Sequence, residues 1–90
     1  MHSLIWAAPA RHDLTTIGAW LAEQAGPEIA VRYLEQIIVS SDRFRYYPAS
    51  GPANGDGVRR MRISGTRYLL FYRITATRVE ILRVRHAREN

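Results

Sequence analysis

Nine of the thirteen arginines fall in the final third of the chain: Arg59, Arg60, Arg62, Arg67, Arg73, Arg78, Arg83, Arg85 and Arg88. Each guanidinium offers a planar fork of donors and a charge that does not titrate away, which suits phosphates, carboxylates and aromatic faces. Leu69, Phe71, Val79 and Ile81 are interleaved with them, so the surface they build is apolar as well as cationic. Such a surface can grip an anionic partner, or it can stabilise the phosphorane formed when RNA is cut. Cutting through the 2′-OH further requires a base and an acid. Histidine is the side chain that most often serves as either, but nothing in the spacing ties His86 to Tyr46, Tyr47 or Glu80, the partners on offer. No catalytic residue is assigned on that pattern. A histidine ending a strand also has a plainer task, hydrogen-bonding the turn that follows.

The charge is unevenly spread. Residues 1–56 carry four arginines against six acids, a net of −2, whereas residues 57–90 carry nine against two, a net of +7. The basic character therefore belongs to the C-terminal third. There is no lysine and no cysteine, so disulfides are excluded and a reducing cytoplasm is the expected location. No apolar run approaches the ~18 residues of a membrane helix, and the opening Met1–Trp6 lacks the pattern of a secretion signal. No His/Cys/Asp/Glu cluster has metal-ligand spacing, and Gly51, Gly55 and Gly57 do not form a phosphate-binding loop. Neither metal nor cofactor is expected.

The arginines must be positioned by strands. Val58–Ile63, Arg67–Ile74 and Arg78–His86 are rich in Val, Ile, Tyr, Phe and Thr, and the short gaps at Ser64–Thr66 and Thr75–Thr77 admit only hairpins. The region 57–86 reads as an antiparallel three-stranded meander, followed by a tail over 87–90. Upstream, residues 1–8 hold a short first strand stopped by Pro9. Residues 9–45 form a helical hairpin broken at Gly26-Pro27, and 46–56 form a turn-rich loop. In the first helix Leu14, Ile17 and Leu21 repeat at helical spacing, flanked by Ala10 and Trp20, with Asp13 expected near the positive end of the dipole. In the second, Ala30, Leu34, Ile37, Ile38, Ser41 and Phe44 make one face. A single α+β domain results, β-α-α-β-β-β, with the hairpin on one face of a mostly antiparallel sheet.

Alternation along the strands sorts the side chains. Tyr68, Leu70, Tyr72 and Ile74 share the helix side with Met61, Ile63, Leu82, Val84 and His86. The open side receives Arg60, Arg62, Leu69, Phe71, Arg73, Val79, Ile81, Arg83 and Arg85. An apolar patch ringed by cations is more than a small monomer needs, and it points to a protein partner. Direct nucleic-acid binding ranks below protein, because single-strand readers add exposed stacking aromatics and only Phe71 qualifies. Arg59 is expected on the helix side, paired with an acid such as Glu23 or Glu35.

The ordered set of motifs resembles the RelE/ParE toxin superfamily, nearest its ParE branch. It comprises Ile5-Trp6, the Ala-x-x-Asp-Leu-x-x-Ile of Ala10–Ile17 and the Ala-x-x-Tyr-Leu of Ala30–Leu34. Pro48, Gly51, the Arg59-Arg60 pair, the Tyr-x-x-x-Tyr-Arg of Tyr68–Arg73 and the Val-x-Ile-Leu-x-Val-x-His of Val79–His86 complete it. The resemblance implies the toxin of a type II toxin–antitoxin module, held by a ParD-like antitoxin and directed against DNA gyrase by binding. RelE-type relatives instead cleave messenger RNA on the ribosome. That branch typically supplies lysines before the sheet centre and a tyrosine near the C-terminus; the loop here has no basic residue, and the chain ends Arg85-His86-Ala87-Arg88-Glu89-Asn90. A degenerate, non-toxic binding module is the third possibility. On this reading Arg60, Arg62, Leu69, Phe71, Arg73, Ile81, Arg83, Arg85, His86 and Arg88 contact the antitoxin or gyrase. Arg59, Tyr68 and Tyr72 are structural.

Overall fold

The computed structural model describes residues 1–53 and 55–88; of the expected tail, residues 89 and 90 lie outside them. The elements are β1 (Ser3–Trp6), α1 (Ala8–Ala25), α2 (Pro27–Ser41), β2 (Arg59–Arg62), β3 (Tyr68–Ile74) and β4 (Arg78–His86). A 3-10 turn, Asp42–Arg45, continues α2, and a second, Pro48–Ser50, lies in the connection to β2. The sheet order is β1-β4-β3-β2. The hairpin helices cover one side, giving the α+β arrangement expected from the sequence.

The placement of β1 was open in the sequence. It joins the edge of β4 in parallel, with Ser3 opposite Arg78 and Trp6 opposite Ile81, while β2–β3 and β3–β4 are antiparallel. Pro9 occupies the first turn of α1, where a missing N–H costs nothing. Gly26, at φ 96°, serves at once as the C-cap of α1 and the N-cap of α2. Only a residue without a Cβ adopts that backbone cheaply, and Pro27 then opens α2 at its first position.

The core lies between the hairpin and the sheet. Ala10, Ile37, Phe44, Leu70, Tyr72, Val79 and Ile81 are wholly buried there, and Ile63 and Val84 nearly so. Phe44, carried by the 3-10 turn rather than by a longer α2, stacks on Tyr72 with ring centroids 4.1 Å apart. Each large apolar side chain buried here contributes roughly 1.5–3 kcal/mol, which the helices cannot gain without the sheet beneath them.

Strict alternation holds through β2 and β3 but fails in β4. Phe71 pairs with Arg83 and the next residue, Tyr72, with Ile81, so Leu82 is an extra residue in the ladder. This β-bulge reverses the facing of everything before it. Val79 and Ile81 therefore point under the helices and are fully buried, not exposed on the open side as alternation predicts. Leu82 moves the other way and joins Phe71 on the open side.

Candidate partner-binding face and its supports

The register assembles two rows on the open face, since residues directly opposite in an antiparallel pair share a side. Arg60, Phe71 and Arg83 form one row across β2, β3 and β4; Arg62, Leu69 and Arg85 form the other. Each row has an apolar centre flanked by arginine. Leu69, Phe71 and Leu82 are half-buried and floor a shallow groove of about 670 Å³, bordered by Arg60, Arg85 and Val58. Among the described residues no carboxylate lines it.

Toward the start of β4 the face changes character. Arg73 donates from Nε and Nη2 to Glu80 at 3.2 and 3.1 Å, and Arg78 approaches the same carboxylate at 3.6 Å. One acid thus holds two arginines at that end. Arg73 is an exposed ion-pair partner of Glu80 rather than an uncommitted cation.

Arg83 is anchored on the other side of the sheet edge. Its Nε and Nη2 each reach an Asp13 oxygen at 2.8 Å, and the Val84 amide donates to the same carboxylate at 2.9 Å. The reason is topological. β1 stops opposite Ile81, so the edge of β4 beyond it would be left unpaired, and α1 returns along that edge with Asp13 facing it. Asp13 is the sixth residue of α1, outside the first turn, so the dipole role expected for it gives way to this one. Burial alone would raise its carboxyl, but the Arg83 and Val84 hydrogen bonds and the charges of Arg83 and Arg85 outweigh that, and the group lies below the ordinary aspartate value. Asp13 was overlooked among the sequence candidates, though an acid inside the apolar stripe of Ala10, Leu14, Ile17 and Leu21 is a readable signal.

The connection before β2 is clamped to the sheet. The Gly51 amide donates to the Tyr72 hydroxyl at 2.8 Å, Arg59 Nη1 donates to the Gly51 carbonyl at 2.8 Å, and the Arg60 amide donates to Pro52 at 3.3 Å. Arg59 is thus half-buried and structural, but its partner is a backbone carbonyl and not Glu23 or Glu35. Burial raises the Tyr72 hydroxyl above the usual phenol value, against the Gly51 hydrogen bond and the charges of Arg59 and Arg43. At Gly51 the need is for space rather than for unusual dihedrals: a Cβ would collide with the Arg60 carbonyl and crowd the Tyr72 hydroxyl.

Two of the expected contact residues lie elsewhere. Ile81 is in the core, for the reason given by the bulge. His86 stands on the helix side, opposite Tyr68, with their rings edge to face at 5.3 Å. Its Nδ1 accepts the Arg88 amide at 3.2 Å, the turn-binding task that a terminal histidine performs. Glu80 lies six residues away along β4, about 20 Å in extended chain. Tyr46 and Tyr47 are exposed beside the start of β1, where the His2 amide donates to Arg45. None of the three converges with His86. Arg88 is exposed, and Tyr68 and Tyr72 lie in the core. Among the described residues no group of His, Cys, Asp and Glu could hold a metal, and no helix is long and apolar enough to cross a membrane.

The family described as the ParE toxin of the type II toxin–antitoxin system, parDE, matches residues 4–90. The chain belongs to that family. A solved structure of the chromosomal ParDE toxin–antitoxin system from P. aeruginosa is similar at 25% identity, covers 96% of both chains and superposes with a TM-score of 0.87. The DinJ–YafQ complex of E. coli aligns at 12% identity over the whole of both chains with a TM-score of 0.49. Among curated proteins none matches significantly.

Proposed function

We propose that this toxin acts by contact: it binds DNA gyrase in the cytoplasm, makes and breaks no bond itself, and is silenced by a ParD-like antitoxin seated on the open face. The observation that carries the reading is the pair of rows, Arg60–Phe71–Arg83 and Arg62–Leu69–Arg85. An apolar floor with a cationic border, and no lining acid among the described residues, fits an acidic amphipathic segment, whose aliphatic side chains cover Leu69, Phe71 and Leu82. Support for a non-enzymatic action comes from His86, whose Nδ1 takes the Arg88 amide and which stands away from Glu80, Tyr46 and Tyr47.

The test is direct. Purified protein, gyrase and supercoiled plasmid are expected to accumulate cleaved DNA, and prior addition of the cognate antitoxin is expected to prevent it. Ribosome-dependent cuts in messenger RNA with gyrase unaffected would overturn the reading in favour of a RelE-type nuclease. Expression without growth arrest would overturn it in favour of a non-toxic binding module.

A further inference from the structure

A second groove lies on the helix side and meets the open face at Arg62, which the register places in the Arg62–Leu69–Arg85 row. Trp20 falls beside the apolar stripe of α1, yet it remains 52% exposed. It overhangs a depression of about 730 Å³ whose other walls include Tyr33, Tyr68, His86, Arg62 and Arg67. A neighbouring depression of about 510 Å³ shares Trp20, Tyr68 and His86 and continues to Thr16, Ile17 and Arg88. The two adjoin at Trp20, Tyr68 and His86, and are treated together as one trough.

The lining has a particular composition. Among the described residues it contains three arginines and a histidine and no acid. Arg62, Arg67 and Arg88 have no carboxylate partner among the described residues. The apolar part is chiefly aromatic (Trp20, Tyr33 and the Tyr68–His86 pair), with buried Leu21 and half-buried Ile17 beside them, where the open face offers chiefly Leu69, Leu82 and Phe71. Flat π-faces alternating with planar cations match a chain that alternates flat bases with phosphates. An acidic peptide matches less well, because its side chains need the aliphatic pockets found on the other face.

We propose that this trough binds a short single-stranded stretch of nucleic acid, with a base stacked on Trp20 and phosphates held by Arg62, Arg67 and Arg88. Sequence alone offers one exposed stacking residue, Phe71; the structure adds a second, a half-open indole with arginines in both adjoining depressions. The proposal concerns binding only and does not depend on the gyrase reading.

Fluorescence anisotropy of the purified full chain with labelled oligo-dT and oligo-U tests it, the two arms distinguishing DNA from RNA. The expected result is binding in low salt accompanied by quenching of tryptophan emission. With three phosphates engaged, log K should fall against log salt with a slope of about −2. W20A should weaken binding about tenfold or more, while W20F, which keeps a stacking face, should retain most of it. The double variant R67A/R88A should flatten the salt slope by about 1.4. R60A and F71A, on the open face, should leave binding unchanged. No anisotropy change up to about 100 μM protein in low salt, equal binding by W20A, or preference of the trough for an acidic peptide over both oligonucleotides would each overturn the proposal.

Discussion

Arg83 and Asp13, seventy residues apart in the chain, meet through two hydrogen bonds of 2.8 Å. The pair closes the edge of β4 that β1 leaves unpaired and fixes one end of the cationic row on the open face. It therefore couples the first helix to the last strand, and the stability of the fold to the shape of the open face.

Replacing Asp13 by Ala removes both contacts and leaves the Val84 amide without its acceptor. Because the hydrogen bonds are charge-assisted and the carboxylate is nearly buried, the expected cost is about 2–3 kcal/mol. Arg83→Ala should cost less, since the Asp13–Val84 bond survives. Urea denaturation of D13A, R83A and the double variant measures the coupling; additive single effects would show that the pair contributes no interaction energy.

Asp13 also gives the protein a specific acid sensitivity. Its carboxyl is lowered in the folded state, so the folded protein binds a proton there less readily than the unfolded chain does. The contribution is fully present above the unfolded aspartate value of about 3.9 and is lost as pH falls through the lower folded value. Stability of the wild type should therefore drop more steeply below about pH 4 than that of Asp13→Asn. Parallel urea midpoints between pH 2.5 and 6 would settle it, and identical curves would remove Asp13 from the explanation.

Tyr72→Phe keeps the Phe44 stack and deletes the acceptor for Gly51. The expected cost is about 1–2 kcal/mol, with faster hydrogen exchange at the Gly51 amide as the local readout. Gly51→Ala should cost more than Y72F, since its Cβ meets the backbone of Arg60, which cannot swing aside. A G51A protein as stable as wild type would contradict the clamp.

The bulge makes a contrast between two residues that alternation would place together. Phe71→Ala, on the open face, should lower antitoxin affinity about tenfold or more with little change in melting temperature. Ile81→Ala should instead destabilise the isolated toxin by about 2–5 kcal/mol. Titration calorimetry and thermal melts separate the two, and a reversed pattern would put Ile81 back on the surface.

Occupation of the open face should also stabilise the toxin by mass action. Antitoxin at a hundred times its dissociation constant adds about 2.7 kcal/mol, or roughly 10–20 °C for a domain of this size. A melting curve unmoved by saturating antitoxin would mean that the folded toxin is not the species bound.

The element order, the hairpin break at Gly26-Pro27, the three strands of the meander and the side occupied by Arg60, Leu69 and Phe71 are all written in local pattern. Each follows from spacing or from a single residue's backbone preference, interactions that span only a few positions. What the sequence alone did not decide depends on contacts between distant segments. The bulge at Leu82 turns Val79 and Ile81 inward because β4 must satisfy β3, β1 and the helices at once, and strict period-two reading has no term for an extra residue. The partner of Arg59 became the Gly51 carbonyl because the loop folds back onto β2. Asp13 found Arg83 because β1 is shorter than β4, a mismatch between the ends of the chain that appears only once the two strands lie side by side.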